Sequence, residues 1–173
     1  KDFCISTHFL PDVITDYFGD GRDLDINISY VHERYPLGTG GALGLLPKYL
    51  NKPILMINGD ILTNVDFSNL LDFHNKENAK ATMSVRDYEV KIPFGVIEAA
   101  EHRVTGMIEK PTYNFHVNAG IYVVEPSIIY SVRENEVIDM PTLLERYVTD
   151  KDIAMFPLHE QWLDVGERAE FDK

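Results

Sequence analysis

Five short segments of this chain carry residue types and spacings that can do chemistry. Asn58–Gly59–Asp60 ends an apolar run. In an open α/β sheet, ligands bind outside the carboxyl ends of strands. An aspartate placed there can hold Mg²⁺, which takes carboxylate oxygen together with water and substrate phosphate. Trp162–Leu163–Asp164–Val165–Gly166 sets the only tryptophan two positions before a second aspartate. Asp60 and Asp164, drawn from distant segments, can form the carboxylate pair of a metal site for phosphate chemistry. Ile108–Glu109–Lys110–Pro111 places a carboxylate beside an ammonium at a strand end. Lys110 can meet a phosphate as a point charge, and Glu109 can accept from sugar hydroxyls. Neighbours in a strand point to opposite faces, so both reach one ligand only if the strand ends there. Leu37–Gly38–Thr39–Gly40–Gly41–Ala42, with Gly44 behind it, leads into a helix-like run. Glycine there lets backbone approach a flat or anionic ligand, next to the free N–H groups of a helix start. Val117–Asn118–Ala119–Gly120 offers one polar and two small residues that leave room for a bound ring.

Each segment also has a plain structural reading. A Gly-rich turn can simply cap a helix, and this one matches neither the Walker phosphate loop nor the dinucleotide fingerprint. Asp60 fits an Asx-type turn, Asp164 a turn or helix cap, and Glu109–Lys110 an exposed strand end. Small residues at 119–120 fit a close helix–sheet contact. Asp23–Leu24–Asp25 spells the metal triplet of many glycosyltransferases but reads as a solvated loop beside a turn. His8, His32, His74, His102, His116 and His159 are scattered without zinc spacing and read as structural or exposed. Cys4 has no activating neighbour in sequence and reads as a buried, inert thiol. No serine sits in a nucleophile elbow.

The elements that must position these groups alternate. Strands are expected at Phe3–Thr7, Ile26–Val31, Pro53–Ile57, Ala81–Val85, Gly95–Ala99, Val104–Glu109, Gly120–Val124, Ile153–Pro157 and Gln161–Val165. Helices are expected at Pro11–Phe18, Leu43–Leu50, Asp66–Asn78, Pro126–Val132 and Pro141–Val148. Phe67, Leu70, Leu71 and His74 fall on one helical face. Pro53–Ile57 reads as a buried parallel strand with a loop at its carboxyl end. The early β-α alternation argues for a mainly parallel sheet covered by helices, and the clustered later strands add antiparallel pairs. The fold class is therefore α/β, a mixed and mainly parallel sheet flanked by helices.

Composition narrows the function. With 173 residues the chain can bury roughly 70% of its unfolded surface. At 45% hydrophobic residues it is not disordered, and one cysteine excludes a disulfide scaffold. The 28 acidic residues outnumber 16 basic ones, giving a formal charge of −12. Such a surface repels nucleic acid backbones and anionic lipid, so neither is an expected partner. An acidic protein that handles phosphate needs placed Lys or Arg residues, or a divalent metal. No apolar run reaches the length of a membrane span and no start reads as a signal peptide, so a cytoplasmic location is expected. The chain opens at Lys1 without methionine and closes at Lys173 in a polar, helix-like stretch.

The order of the segments says more than any one of them. Tyr17–Phe18–Gly19–Asp20–Gly21, Pro36–Leu37–Gly38–Thr39–Gly40–Gly41–Ala42–Leu43, Asn58–Gly59–Asp60, Phe94–Gly95–Val96, Glu109–Lys110–Pro111, Asn118–Ala119–Gly120–Ile121–Tyr122 and Trp162–Leu163–Asp164–Val165–Gly166 follow one another. In that order they resemble the sugar-phosphate nucleotidylyltransferases, also called NDP-sugar pyrophosphorylases. Within that family the chain looks most like mannose-1-phosphate guanylyltransferases and related hexose-1-phosphate guanylyltransferases. The resemblance spans nearly the whole chain.

It implies a Rossmann-like nucleotide-diphospho-sugar transferase fold, and a reaction in which a sugar 1-phosphate attacks the α-phosphate of a nucleoside triphosphate and expels pyrophosphate. The implied cofactor is Mg²⁺, held by Asp60 and Asp164. The implied partners are a nucleoside triphosphate, GTP favoured, and a sugar 1-phosphate; a homo-oligomer is left open. By the same resemblance Lys110 binds the sugar phosphate and Glu109 the sugar hydroxyls. Gly38, with Thr39 and Gly40, lies by the base, and Gly95 and Asn118 line the sugar pocket. Glu33 stands near where related enzymes place a base-reading side chain, and a glutamate there suits guanine. The family's Gly-rich loop with a following Arg, which cradles the triphosphate after the first strand, has no match here. Residues 1–173 are thus expected to be a single, partial nucleotidyltransferase domain, truncated before its N-terminal strand and loop and nearly inactive alone. The competing readings are a non-catalytic regulatory homologue that binds nucleotide or NDP-sugar, and a glycosyltransferase using Asp23–Leu24–Asp25.

Overall fold

Ten strands and five short helices succeed one another through residues 1–166, the part of the chain that the computed structural model describes. The polar, helix-like stretch at the C-terminus lies outside the described residues. The strands are β1 (Asp2–Thr7), β2 (Asn27–His32), β3 (Ile54–Ile57), β4 (Ile61–Thr63), β5 (Ala81–Lys91), β6 (Val96–Ala100), β7 (Arg103–Ile108), β8 (Thr112–Val124), β9 (Ile153–Pro157) and β10 (Trp162–Asp164). The helices are α1 (Pro11–Phe18), α2 (Gly38–Gly41), α3 (Phe67–Glu77), α4 (Pro126–Ile129) and α5 (Met140–Glu145).

The centre is a mixed four-stranded sheet in the order β3-β8-β5-β9. Its long strand β8 alternates in the way a strand covered on both faces must. Tyr122 and Val124 pack on one side with α4 and α5, while Ala119, Ile121 and Val123 pack on the other with Leu70 of α3. Helix α3 is delimited by chemistry readable in the sequence. The Asp66 carboxylate accepts from the Ser68 and Asn69 amides, and Asn78 ends the helix in the left-handed region at φ 50°. His74, buried on this helix, contacts the Thr82 hydroxyl through Nδ1 (2.8 Å) and Glu125 through Nε2 (3.3 Å), a structural histidine as expected.

Parallel pairing occupies less of the fold than the β-α alternation suggests. Only β1–β2 and β5–β9 pair in parallel among the described residues. Strand β3, expected as a buried parallel strand, is half-buried and pairs antiparallel with β8. The partners β5 and β8 run antiparallel because the β6–β7 hairpin joins them at one end, where no crossover is needed. Both strands extend well beyond the expected Ala81–Val85 and Gly120–Val124. Their polar outer halves, 86–91 and 112–117, pair with each other away from the core.

Other differences have local causes. The helix expected at Leu43–Leu50 does not form. Helical geometry starts at Gly38, tightens to a 3₁₀ turn over Ala42–Leu45 and stops there. Pro47 pushes the preceding Leu46 into the extended region, at ψ 152°. Strand β4, three residues long, was too short to show a period. Cys4 is exposed on β1 rather than buried, because that strand belongs to a two-stranded ribbon with a mostly exposed surface. Asp23 lies in an exposed 3₁₀ turn and Asp25 follows it at φ 55°, the solvated turn expected. No helix among the described residues is long and apolar enough to cross a membrane.

Candidate active site

The two aspartates come together through one short ladder. Strands β4 and β10 pair antiparallel, with Asp164 opposite Ile61, the residue after Asp60. The Val165 amide donates to the Asp60 carbonyl at 2.9 Å, and the Gly166 amide donates to Asp164 Oδ1 at 3.0 Å. A Cβ on Gly166 would lie 2.8 Å from Asp60 Oδ2 and 3.1 Å from Asp164 Oδ1. Gly166 therefore leaves bare the space that both carboxylates face. Asp60 is exposed and Asp164 half-buried.

Strand β8 organises both arms of this pair. Gly120, at φ 69°, sits so close to Asn58 that a Cβ would meet the Asn58 Nδ2 at 2.9 Å, and the Asn58 amide donates to the Gly120 carbonyl at 2.9 Å. The Trp162 indole N–H donates to the Ala119 carbonyl at 2.7 Å, and Arg86 stacks over the same indole at 4.9 Å. Asn118–Ala119–Gly120 thus fixes the turn carrying Asp60 and the strand carrying Asp164. The small residues at 119–120 serve these close approaches. Asn118 itself donates to the Tyr122 hydroxyl and accepts from the Gly120 amide at 3.1 Å. Burial pushes the Tyr122 phenol above its ordinary pKa; the Asn118 bond opposes this and the Asp139 charge adds to it.

Glu109, Lys110 and Gly95 form a second group. Strand β7 ends at Ile108, and Lys110 adopts φ 45° before Pro111. The strand alternation is broken there, so Lys110 Nζ and Glu109 Oε1 stand 3.9 Å apart, both exposed. A Cβ on Gly95 would lie 3.0 Å from Glu109 Oε2. These three groups share one surface, and Lys110 pairs with Glu109 rather than with the Asp60–Asp164 pair.

The glycine-rich loop divides its labour. Gly41 and Gly44 press on the carbonyls of Glu136 and Arg133, where a side chain would collide with backbone. Gly40 is buried against residues 138–140. Gly38, at φ 73°, and Thr39 are the exposed members. Both oxygens of Glu33 are engaged inside the protein. Oε2 accepts from the Leu37 amide at 2.9 Å and Oε1 accepts from the Ser6 hydroxyl. Two residues that the sequence reading missed complete this corner. Asp139 Oδ1 accepts from the Thr39 amide at 3.1 Å. Glu136 is held by Arg146 at 2.9 Å and by the Arg133 amide, which draw its carboxyl from 4.5 down to about 2. Asp139 and Glu136 lie about a hundred residues downstream of the loop, and no local spacing marks the relation.

The donor set fits a hard divalent cation. Two facing carboxylates suit Mg²⁺, which commonly keeps several waters and takes substrate phosphate for the rest of its shell. The described residues hold no cluster of three or more His, Cys, Asp or Glu side chains that would build a closed protein cage.

Comparison with known proteins gives this geometry its context. The profile of the family described as Nucleotidyl transferase matches residues 1–172. The chain belongs to the nucleotidyl transferase family. Among curated relatives, a mannose-1-phosphate guanyltransferase of Yarrowia lipolytica is 29% identical over 185 residues, covering 99% of this chain and 49% of its own length. A mannose-1-phosphate guanylyltransferase of Mycobacterium tuberculosis is 31% identical over 176 residues, covering 96% of this chain and 48% of its own. The chain spans about half the length of the curated relatives it matches. A solved structure of a putative glucose-1-phosphate thymidylyltransferase from Bacillus anthracis superposes with a TM-score of 0.73 at 19% identity, over 98% of this chain and 72% of that one. That likeness shows that this nucleotidyl transferase shares its mixed α/β fold.

Proposed function

We propose that this chain forms part of an enzyme that transfers a nucleotidyl group from a nucleoside triphosphate, GTP favoured, to a sugar 1-phosphate. An oxygen of the sugar phosphate forms the new bond to the α-phosphorus, the bond to the β-phosphate bridge breaks, and pyrophosphate leaves with the electron pair. The observation that carries this reading is the convergence of Asp60 and Asp164 on the bare space beside Gly166. The guanine preference leans on the mannose-1-phosphate guanylyltransferase relatives.

Asp60 and Asp164 would hold Mg²⁺. When bound, the ion supplies positive charge against the crowded phosphates. The protein's own work is positioning and charge placement. Lys110 meets the sugar phosphate as a point charge. Glu109, 3.9 Å away, orients the sugar by accepting from its hydroxyls. Gly95 keeps the space beside Glu109 clear, and Asn118, held by Tyr122, presents a polar edge to the sugar. Gly38 lets backbone approach the base, with Thr39 and Gly40 behind it. Glu33 supports that loop by accepting from Ser6 and Leu37, and its carboxylate keeps further lone pairs with which to accept from a guanine.

The test uses the protein that carries this chain, with Mg²⁺, GTP and mannose 1-phosphate, and pyrophosphate release as the readout. Release that depends on all three is expected, and panels of other nucleotides and sugar phosphates then rank base and sugar. Binding of GTP without release from any sugar 1-phosphate would instead favour a regulatory nucleotide-binding protein. The 173-residue chain assayed alone is expected to show little or no turnover. The segment it offers the nucleotide, by the assignment above, is the Gly38 loop.

A further inference from the structure

We propose that Asp139 is a positioning residue, which locks the Gly38–Thr39 loop into the shape that receives the nucleoside. The inference rests on the function proposed above and deepens it. Thr39 and Asp139 cap each other across a hundred residues. The Thr39 amide donates to Asp139 Oδ1 at 3.1 Å, and the Met140 amide donates to Thr39 Oγ1 at 2.9 Å. Neither helix has a side-chain cap of its own: Leu37 offers none to α2, and Asp139 makes none to α5. Each first turn is satisfied by the other segment's side chain.

The clasp is aimed at one place. Backbone bonds already join the two segments, from Gly40 to the Ile138 carbonyl and from Ile138 to the Leu37 carbonyl, both at 2.9 Å. The Asp139 carboxylate adds a hold on the Thr39 amide and lies beside Gly38. At Gly38 a Cβ would lie 2.7 Å from Asp139 Oδ1, and the backbone sits at φ 73°. These are the exposed residues of the loop, whereas Gly40 and Gly41 are buried. Asp139 is itself exposed.

The experiment measures kcat, KM for GTP and for mannose 1-phosphate, and equilibrium GTP binding, in the protein that carries this chain. Asp139→Ala, Asp139→Asn and Thr39→Val are compared with the parent. Asp139→Ala is expected to raise the GTP KM and Kd by about ten- to a hundred-fold, the scale of one lost bond to a charged acceptor, with a much smaller change in kcat. Asp139→Asn keeps an oxygen for the Thr39 amide and is expected to recover most of the GTP affinity. If Asp139→Ala fails to fold, Thr39→Val, which removes only the hydroxyl, carries the test and should show the same KM-selective loss in weaker form. GTP affinity unchanged in the folded variants, or an Asn variant as impaired as the Ala variant, would overturn the inference. A parent protein that binds GTP but releases no pyrophosphate overturns the proposed reaction, and the GTP Kd values still decide the role of Asp139.

Discussion

Asp60 Oδ2 and Asp164 Oδ1 face the same point, the place where a Cβ on Gly166 would stand, at 2.8 and 3.1 Å. They arrive there from strands that pair antiparallel, and neither carboxylate forms an ion pair among the described residues. Two like charges held close and unneutralised favour a cation between them. Asp60→Asn is therefore expected to remove several kcal/mol of transition-state stabilisation, on the order of a 10²- to 10⁴-fold fall in kcat/KM. Pyrophosphate release across a Mg²⁺ titration checks it, and near-normal turnover in the variant would take Asp60 out of the mechanism.

Gly166→Ala probes the same space sterically. The new methyl would stand within 2.8 Å of Asp60 Oδ2, so one carboxylate must move. Gly166 is exposed and its backbone is not among the left-handed glycines, so the fold should tolerate alanine. The expected outcome is an unchanged melting temperature with about tenfold weaker Mn²⁺ binding, read by electron paramagnetic resonance. Equal metal affinity in the two proteins would show that the bare space is not the cation's place.

The reach of the sequence can be judged from these same residues. Asp60 and Asp164 were legible because each sits in a local motif at a strand end, where period and turn chemistry both speak. The caps of α3 were legible for the same reason, with Asp66 before the helix and Asn78 after it. The glycines at 40, 41 and 44 suggested ligand contact, yet they serve backbone packing against residues 133–140. A glycine needed for close approach looks the same in sequence whatever approaches it. Asp139 carried no signal, because its partner Thr39 is a hundred residues away and only the fold joins them. The outer halves of β5 and β8 were missed because they are exposed on both faces and so show no alternation.

The loop's second support titrates. Arg146 and the Arg133 amide lower the Glu136 carboxyl from 4.5 to about 2 in the folded protein. A depressed carboxylate contributes stability that is present above pH 4.5 and lost as pH falls toward about 2. Glu136→Gln should therefore flatten the acid limb of stability between those values, with little change in its shape near neutrality. Urea melts over a pH series measure it. Parent and variant losing stability in parallel below pH 4.5 would mean that the Arg146 contact contributes nothing to the folded state.

Lys110 offers a test that separates chemistry from fold at one position. Its φ of 45° lies in the left-handed region, which costs a side-chain-bearing residue roughly 1–2 kcal/mol. Glycine removes that strain but adds about 0.5–1 kcal/mol of unfolded-state entropy. The Glu109 pair is exposed at 3.9 Å, so its loss weighs little. Lys110→Gly should thus leave stability unchanged or raise it by up to about 1 kcal/mol. If Lys110 meets the sugar phosphate, the same variant should raise the KM for sugar 1-phosphate at least about tenfold while the KM for GTP moves little. Denaturant melts and initial rates on one preparation read both quantities. A variant that loses stability yet keeps its affinity for the sugar phosphate would place Lys110 in the architecture of the β7–β8 turn and leave the phosphate without its proposed cation.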